Sequence, residues 1–216
     1  MTDKIKQYGL YHFIRRSALS LIRRIFEYEK YVVFEMPDFR GSSACLNDVI
    51  SIDSFQMNRL IDCGGVGAQD IDKFQSMLSN GEIGIGVVKN GILVGSAWVQ
   101  KTGIYRFAKG FEVAIPENVV IMKNLFVSPL HRGSGLGKIL NAARLTLVPA
   151  GFTPVVFIVY DNRIAIRNWM AYGFKPAINV CTYKLFGSHQ RISVRRLSNT
   201  AAAVRLERSM NGAVAP

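Results

Sequence analysis

Seven residues, Arg132-Gly133-Ser134-Gly135-Leu136-Gly137-Lys138, carry the chemistry most plainly written in this chain. An apolar, β-branched run (Val120, Ile121, Leu125, Phe126, Val127) stops at Ser128-Pro129 just before them, and a helical pattern (Leu136, Ile139, Leu140, Ala143, Leu147) follows. A strand, a glycine-rich turn and a helix, in that order, aim main-chain N–H groups at an anion. The first helical N–H groups have no internal partner, the helix dipole favours negative charge, and glycines let a ligand approach. Arg132 adds a cation at the mouth. The spacing excludes two familiar phosphate loops. Gly137-Lys138 is followed by Ile139, so the hydroxyl of a P-loop is missing. Gly133, Gly135 and Gly137 are spaced two by two and no acidic residue lies near position 155, unlike a dinucleotide fingerprint. What remains is a pyrophosphate-binding turn of the form Arg-x-x-Gly-x-Gly.

A second block follows one strand later. Residues 153–160 (with Val155, Val156, Phe157, Ile158 and Val159) read as a buried strand that ends at Asp161-Asn162, a pair suited to cap a helix. Asn162-x-x-Ala165 then opens a helix, and Tyr172-Gly173-Phe174 closes it, with Gly173 eleven residues after Asn162. Together the two blocks resemble the acetyl-CoA signature of the GCN5-related N-acetyltransferases, the GNAT family. The resemblance covers roughly residues 31–186, with specific motifs only between about 120 and 174.

That resemblance implies an α+β fold: a mixed, mostly antiparallel sheet with helices on both faces, split near the cofactor-binding strand. It implies acetyl-CoA as acyl donor, with Leu125, Phe126 and Val127 offering main-chain groups to the pantetheine arm. Arg132, Gly133, Ser134, Gly135, Leu136, Gly137 and Lys138 would hold the pyrophosphate, and the Asn162 side chain would lie near the far end of the cofactor. The implied activity is direct transfer of an acetyl group to an amine, on a small molecule or on a protein. Two departures bear on catalysis. The family's frequent acid, a Tyr seven residues after the Asn, is Trp169 here, a donor but not a usable acid. Tyr172, three residues further along, is either a catalytic candidate or a core aromatic. The family's glutamate in the strand before the glycine loop is also absent, that stretch reading Ile121, Met122, Lys123, Asn124. A longer-chain acyl transferase at the cell envelope and a non-catalytic acyl-CoA-binding module are therefore alternatives.

Composition bounds the rest. With 216 residues, 49% hydrophobic and 19% charged, the chain has material for one core and an appended element. No apolar run approaches the ~18 residues of a transmembrane helix, and Arg15, Arg16, Arg23 and Arg24 interrupt any signal-peptide core. Three scattered cysteines (Cys45, Cys63, Cys181) and three scattered histidines (His12, His131, His189) argue for a reducing, cytoplasmic setting and against a metal site. The formal charge of +12 is concentrated at the ends. Residues 1–30 form a basic amphipathic helix by pattern (Ile5, Tyr8, Tyr11, Ile14, Ala18, Leu21, Ile22, Ile25), either packed on the domain or docked on an anionic membrane surface or acidic partner. Nucleic acid is disfavoured, since no recognition motif accompanies the charge. The sequence leaves the oligomeric state open.

The front half follows the same layout. Residues 31–35 read as a strand, 68–78 as a helix stopped by Asn80-Gly81, and 83–89 with 92–100 as a hairpin around Asn90-Gly91. Residues 41–63 have no clear pattern. The stretch 101–117, with Tyr105, Phe107, Phe111 and Glu112, borders the acceptor pocket in the family, which makes Glu112 a candidate substrate-binding residue. Residues 175–186 should close the sheet with 191–194 beside them. A short helix over 201–210 and a disordered tail over 211–216 complete the basic C-terminal element of 187–216.

Overall fold

A computed structural model of the chain describes residues 26–42, 48–62, 64–108, 111–185 and 191–212. The amphipathic helix expected within 1–30 lies outside these residues, as do Cys45, Cys63, His12 and His189. Ten strands and five α-helices alternate along the described chain: β1 (Phe26–Glu35), β2 (Val49–Ile52), α1 (Ser54–Asp62), α2 (Ala68–Ser79), β3 (Ile83–Lys89), β4 (Ile92–Gln100), β5 (Ile104–Ala108), β6 (Phe111–Ala114), β7 (Val119–Val127), α3 (Leu136–Thr146), β8 (Thr153–Val159), α4 (Arg163–Ala171), β9 (Lys175–Leu185), β10 (Arg191–Arg196) and α5 (Ala201–Gly212). Eight strands form one sheet in the order β10-β9-β1-β8-β7-β4-β3-β2, and β5 and β6 form a separate hairpin.

All neighbours in the sheet are antiparallel except β7 and β8. A parallel pair needs a crossover, and α3 supplies it. The parallel pairing is short: Val119, Val120 and Ile121 face Thr153, Pro154 and Val155, and there it ends. Beyond it β7 continues on β4 as far as Val127, while β8 continues on β1 as far as Val159. The two strands therefore part, and the sheet is split at this seam.

Strand alternation sends the two sets of β7 side chains into different cores. Val120 and Met122 pack with Val156, Ile158, Trp169 and Phe174 beneath α3 and α4. Val119 and Ile121 pack with Val113 of the β5–β6 hairpin and with Ala203, Leu206 and Met210 of α5. Helices thus cover both faces. On the second face α1 and α2 close over Trp98 and Ile52 with Met57, Phe74 and Met77. Gly84 makes room for Trp98: a Cβ there would sit 2.7 Å from two carbons of the indole ring.

Most expected elements are present, the Asn90-Gly91 turn included, with φ of 52° and 77° as a type I′ turn demands. Three details differ from expectation. β1 begins at Phe26, because the polar stretch Glu27–Lys30 is held in the sheet by pairing with β9 over Lys184–Cys181. The patternless 41–63 stretch holds the edge strand β2 and the short helix α1, with residues 43–47 and 63 outside the described residues. Asn211 and Gly212, expected in a disordered tail, extend α5 by its last two residues.

Gly84→Ala should push the Trp98 ring out of its seat and cost about 1–3 kcal/mol, the usual penalty of overpacking. Thermal denaturation followed by circular dichroism checks this, and an unchanged Tm would mean that the ring has slack.

Candidate functional site

Both motif blocks lie at the end of the sheet where β7 and β8 diverge. After β7 the chain makes a single 3₁₀ turn (Pro129–His131), then the glycine turn, then α3. Gly133 and Gly135 have φ of 82° and 84°, the left-handed region that glycine enters at little cost. No heavy atom lies within 4 Å of where a Cβ would stand on either, so that direction is open. Gly135 is the N-cap of α3 and supplies no side chain to it. The first amide to turn inward is that of Lys138, which donates to Gly135 O at 2.9 Å. The N–H groups of residues 133–137 have no acceptor among the described residues. Ser134 Oγ donates to His131 O at 2.6 Å and braces the turn, and Arg132 Nε reaches Val127 O at 3.4 Å. Arg132 and Lys138 are exposed, and neither has an ion-pair partner among the described residues. Five free amides, a helix dipole and two exposed cations gather at this turn, a setting that favours an anion.

The end of β7 borders this turn. Between Ser96↔Phe126 and Trp98↔Lys123 the strand carries one residue more than its partner, a β-bulge, with Asn124 at φ 49°. The bulge leaves Leu125 and Phe126 exposed (42% and 47%) where their sheet neighbours are buried. An edge of main chain is thereby presented to the cleft.

Across the seam, Asn162 caps α4 by accepting the Ala165 N–H on Oδ1 at 3.1 Å. Trp169 is buried, edge-on to Phe174 and 5.1 Å from the guanidinium carbon of Arg144. Tyr172 donates its hydroxyl to Lys138 O at 3.0 Å and so ties α4 to the first turn of α3. Burial raises the Tyr172 pKa, partly opposed by the charge of Arg144. A phenol whose proton is already given to a carbonyl is better placed as a tie than as an acid.

Arg144 itself is 2% exposed and has no ion-pair partner among the described residues. It donates to Lys123 O at 2.9 Å and to Asn141 Oδ1, while its Nε–H is left without a partner. Burial pushes its pKa down to about 9, so it stays protonated at neutral pH. Lys123 lies two residues past the last β7–β8 pair, so its carbonyl takes the guanidinium where a continuous sheet would offer β8. Sequence reading missed Arg144, yet Leu136, Leu140 and Arg144 share i, i+4, i+8 spacing on the buried face of α3.

Glu82, also missed, enters the strand region from the turn before β3. Its Oε1 accepts from Lys123 Nζ at 2.8 Å, and the same ammonium donates to Gln100 Oε1 at 3.1 Å. Both ends of the pair are nearly buried, and Glu82 Oε2 has no partner. The nearby carboxylate and burial push the Tyr105 hydroxyl up to about 12, burial being the larger cause. Glu112 is elsewhere: it pairs with Arg106 on the exposed side of the β5–β6 hairpin. Tyr105 and Phe107 of that hairpin instead pack against Phe157 of β8.

Beside the bulge lies a cavity of about 230 Å³. Its walls are the Gly65–Gly67 loop, the start of α2 with Asp70 and Lys73, the β4 residues Ser96 and Trp98, and Asn124, Leu125 and Phe126 of β7. Glu112 does not line it.

This arrangement has counterparts among solved structures. The chain is similar to a protein from Novosphingobium aromaticivorans described as a GNAT-family acetyltransferase, at 15% identity and a TM-score of 0.51 over 73% of this chain and 64% of that one. A tandem GNAT protein from the clavulanic acid biosynthesis pathway matches equally well, at 15% identity and a TM-score of 0.51 over 80% of this chain and 59% of the other. The chain thus spans about six-tenths of the length of each. No protein-family model matches the sequence, and no curated protein matches it. At these identities the likeness is one of fold: the mixed, mostly antiparallel sheet with helices on both faces is the GNAT fold.

Arg144→Met would strand Lys123 O and Asn141 Oδ1 in the interior, at a cost of about 1–3 kcal/mol in urea denaturation. Adding Asn141→Leu should recover part of that loss. A single variant more stable than the parent would show that desolvation of the guanidinium dominates instead.

Proposed function

We propose that the chain is an acetyl-CoA-dependent N-acetyltransferase that passes the acetyl group directly to an amine. The observation that carries this reading is the row of five unpartnered amides at residues 133–137, set where β7 and β8 separate. A triply phosphorylated donor needs an anion cradle beside a gap that a long, thin arm can enter, and this end of the sheet has both. In this reading Arg132, Gly133, Ser134, Gly135, Leu136, Gly137 and Lys138 hold the pyrophosphate. The main chain of Leu125, Phe126 and Val127 pairs with the pantetheine arm as a missing strand would, and Asn162 stands at the opposite lip.

The bound donor supplies an activated thioester carbonyl. The chain's own contribution is to hold that carbonyl and an amine together in a site that excludes water, which lowers a barrier by about 7–11 kcal/mol without an acid or base. Amides at the bulged end of β7 are suited to stabilise the oxyanion as the carbonyl is attacked. A cysteine-bound intermediate has no support, since Cys181 on β9 lies in neither motif block.

Isothermal titration with acetyl-CoA should show binding to the parent chain. Gly135→Asp, which places an anion and a Cβ in the cradle, should lose at least a hundredfold in affinity, while its left-handed φ costs about 1–2 kcal/mol of stability, read separately as Tm. Equal binding by that variant would sink the site assignment. Running longer acyl-CoAs in parallel decides the donor, and amine-dependent release of free CoA separates an enzyme from a binding module.

Tyr172→Phe tests the role of the hydroxyl. As a tie between helices it is worth about 1 kcal/mol, and kcat should stay within about threefold. A general acid is worth about 10²–10⁴ in rate, so a loss of that size would make Tyr172 catalytic.

A further inference from the structure

The cavity beside the bulge is built for a particular kind of acceptor. Trp98 lines it and is fully buried, and the indole N–H of Trp98 has no hydrogen-bond partner. An orphaned buried donor is costly unless a ligand answers it. The benzo edge of the ring is fixed against Gly84, so the indole cannot turn to find another partner. The cavity also receives the first turn of α2, whose N-cap Gly67 provides no side-chain cap, together with the carboxylate of Asp70 and the ammonium of Lys73. Neither Asp70 nor Lys73 has an ion-pair partner among the described residues. At about 230 Å³ the space is below the range of about 300–1,000 Å³ typical of drug-sized ligands.

Three of these features favour an anion: the indole N–H, the uncapped helix end and Lys73. One, Asp70, favours a cation. A polycationic amine would meet a single carboxylate and a repelling lysine, and a plain alkylamine would leave the indole unanswered. We infer that the cavity takes a small amine that also carries a carboxylate, of the amino-acid class, as the acyl acceptor. The carboxylate lies on the α2 end and Lys73, and it meets the indole N–H of Trp98, sealed from solvent here, once the side chains over that atom shift aside. The amine lies toward Asp70 and the Leu125–Phe126 main chain, which line the same space. This rests on the acetyl-transfer reading above. In the reaction the ammonium first gives a proton to the Asp70 carboxylate and through it to water. The nitrogen lone pair then forms the C–N bond as the C–S bond breaks. The second nitrogen proton leaves for the CoA thiolate, so one amide, one thiol and one solvent proton result.

The test pairs amino acids with the amines left by removing their carboxylate, in a CoA-release assay on the full chain with acetyl-CoA. Members with the carboxylate should have kcat/KM at least tenfold higher, and Lys73→Gln, an exposed substitution, should shrink that ratio severalfold through KM. Trp98→Phe should shrink it further, its folding checked by circular dichroism. Equal or better turnover of the decarboxylated partners, or a ratio untouched by both variants, would overturn the inference. Binding is read separately from the indole ¹H–¹⁵N signal of Trp98, resolved by using Trp169→Phe as background. A shift with amino acids but not with the decarboxylated amines, in a chain that releases no CoA, would uphold the pocket and remove the acetyl-transfer reading. No shift in a chain that does release CoA would remove the pocket assignment alone.

Discussion

Everything at this site depends on two neighbouring strands that stop pairing. β7 and β8 share three residue pairs and then diverge, although each keeps its other neighbour. Open backbone in a sheet interior is expensive unless something answers it. Here the charge of Arg144 answers Lys123 O from below, buried and without an ion-pair partner among the described residues. A buried cation of that kind costs desolvation energy, and the face of Trp169 at 5.1 Å returns only part of it. The fold accepts this cost at the one place where closing the sheet would remove the cleft.

The tension at the seam also orders the elements around it. The bulge at Asn124 falls just past the last β7–β8 pair, so the strand turns its edge outward as it loses its neighbour. Both crossover helices begin at the same end, α3 after β7 and α4 after β8. The hydroxyl of Tyr172, at the C-terminal end of α4, ties that helix to the first turn of α3. Cradle, gap and exposed strand edge are thus consequences of one topological fact, a parallel pair placed in the middle of an antiparallel sheet.

What was legible in the sequence follows the range of the forces involved. Turn chemistry is local, so Asn90-Gly91 and the glycine turn before α3 could be placed to the residue. The cap at Asn162 was equally local. Strand pairing is not local, and so the polar start of β1 went unseen: only its partner on β9 makes a strand of Glu27–Lys30. The site divides in the same way. The anion cradle is contiguous in sequence, whereas Arg144, Glu82, Trp98 and Asp70 come from four separate elements and meet only in the fold. The setting of Glu112 depends on strand pairing in the same way. Its hairpin does approach the seam, but the register of β5 on β6 pairs Arg106 with Glu112 and turns the carboxylate to solvent.

The polar residues near the bulge and the cavity divide by their partners. Glu82 is held by Lys123 of β7, which spends its charge on it, and Gln100 completes the ammonium's coordination. Gln100 is in turn anchored to Thr102 O and Ile104 O, which fixes the start of the β5–β6 hairpin. Such a neutralised, hydrogen-bonded pair is committed to the structure, because losing either partner would leave an uncompensated buried charge. Asp70 stands at the opposite wall, partly exposed and without an ion-pair partner among the described residues. The sheet thus places its paired charges beneath the strand and leaves the two at the start of α2 beside the cavity.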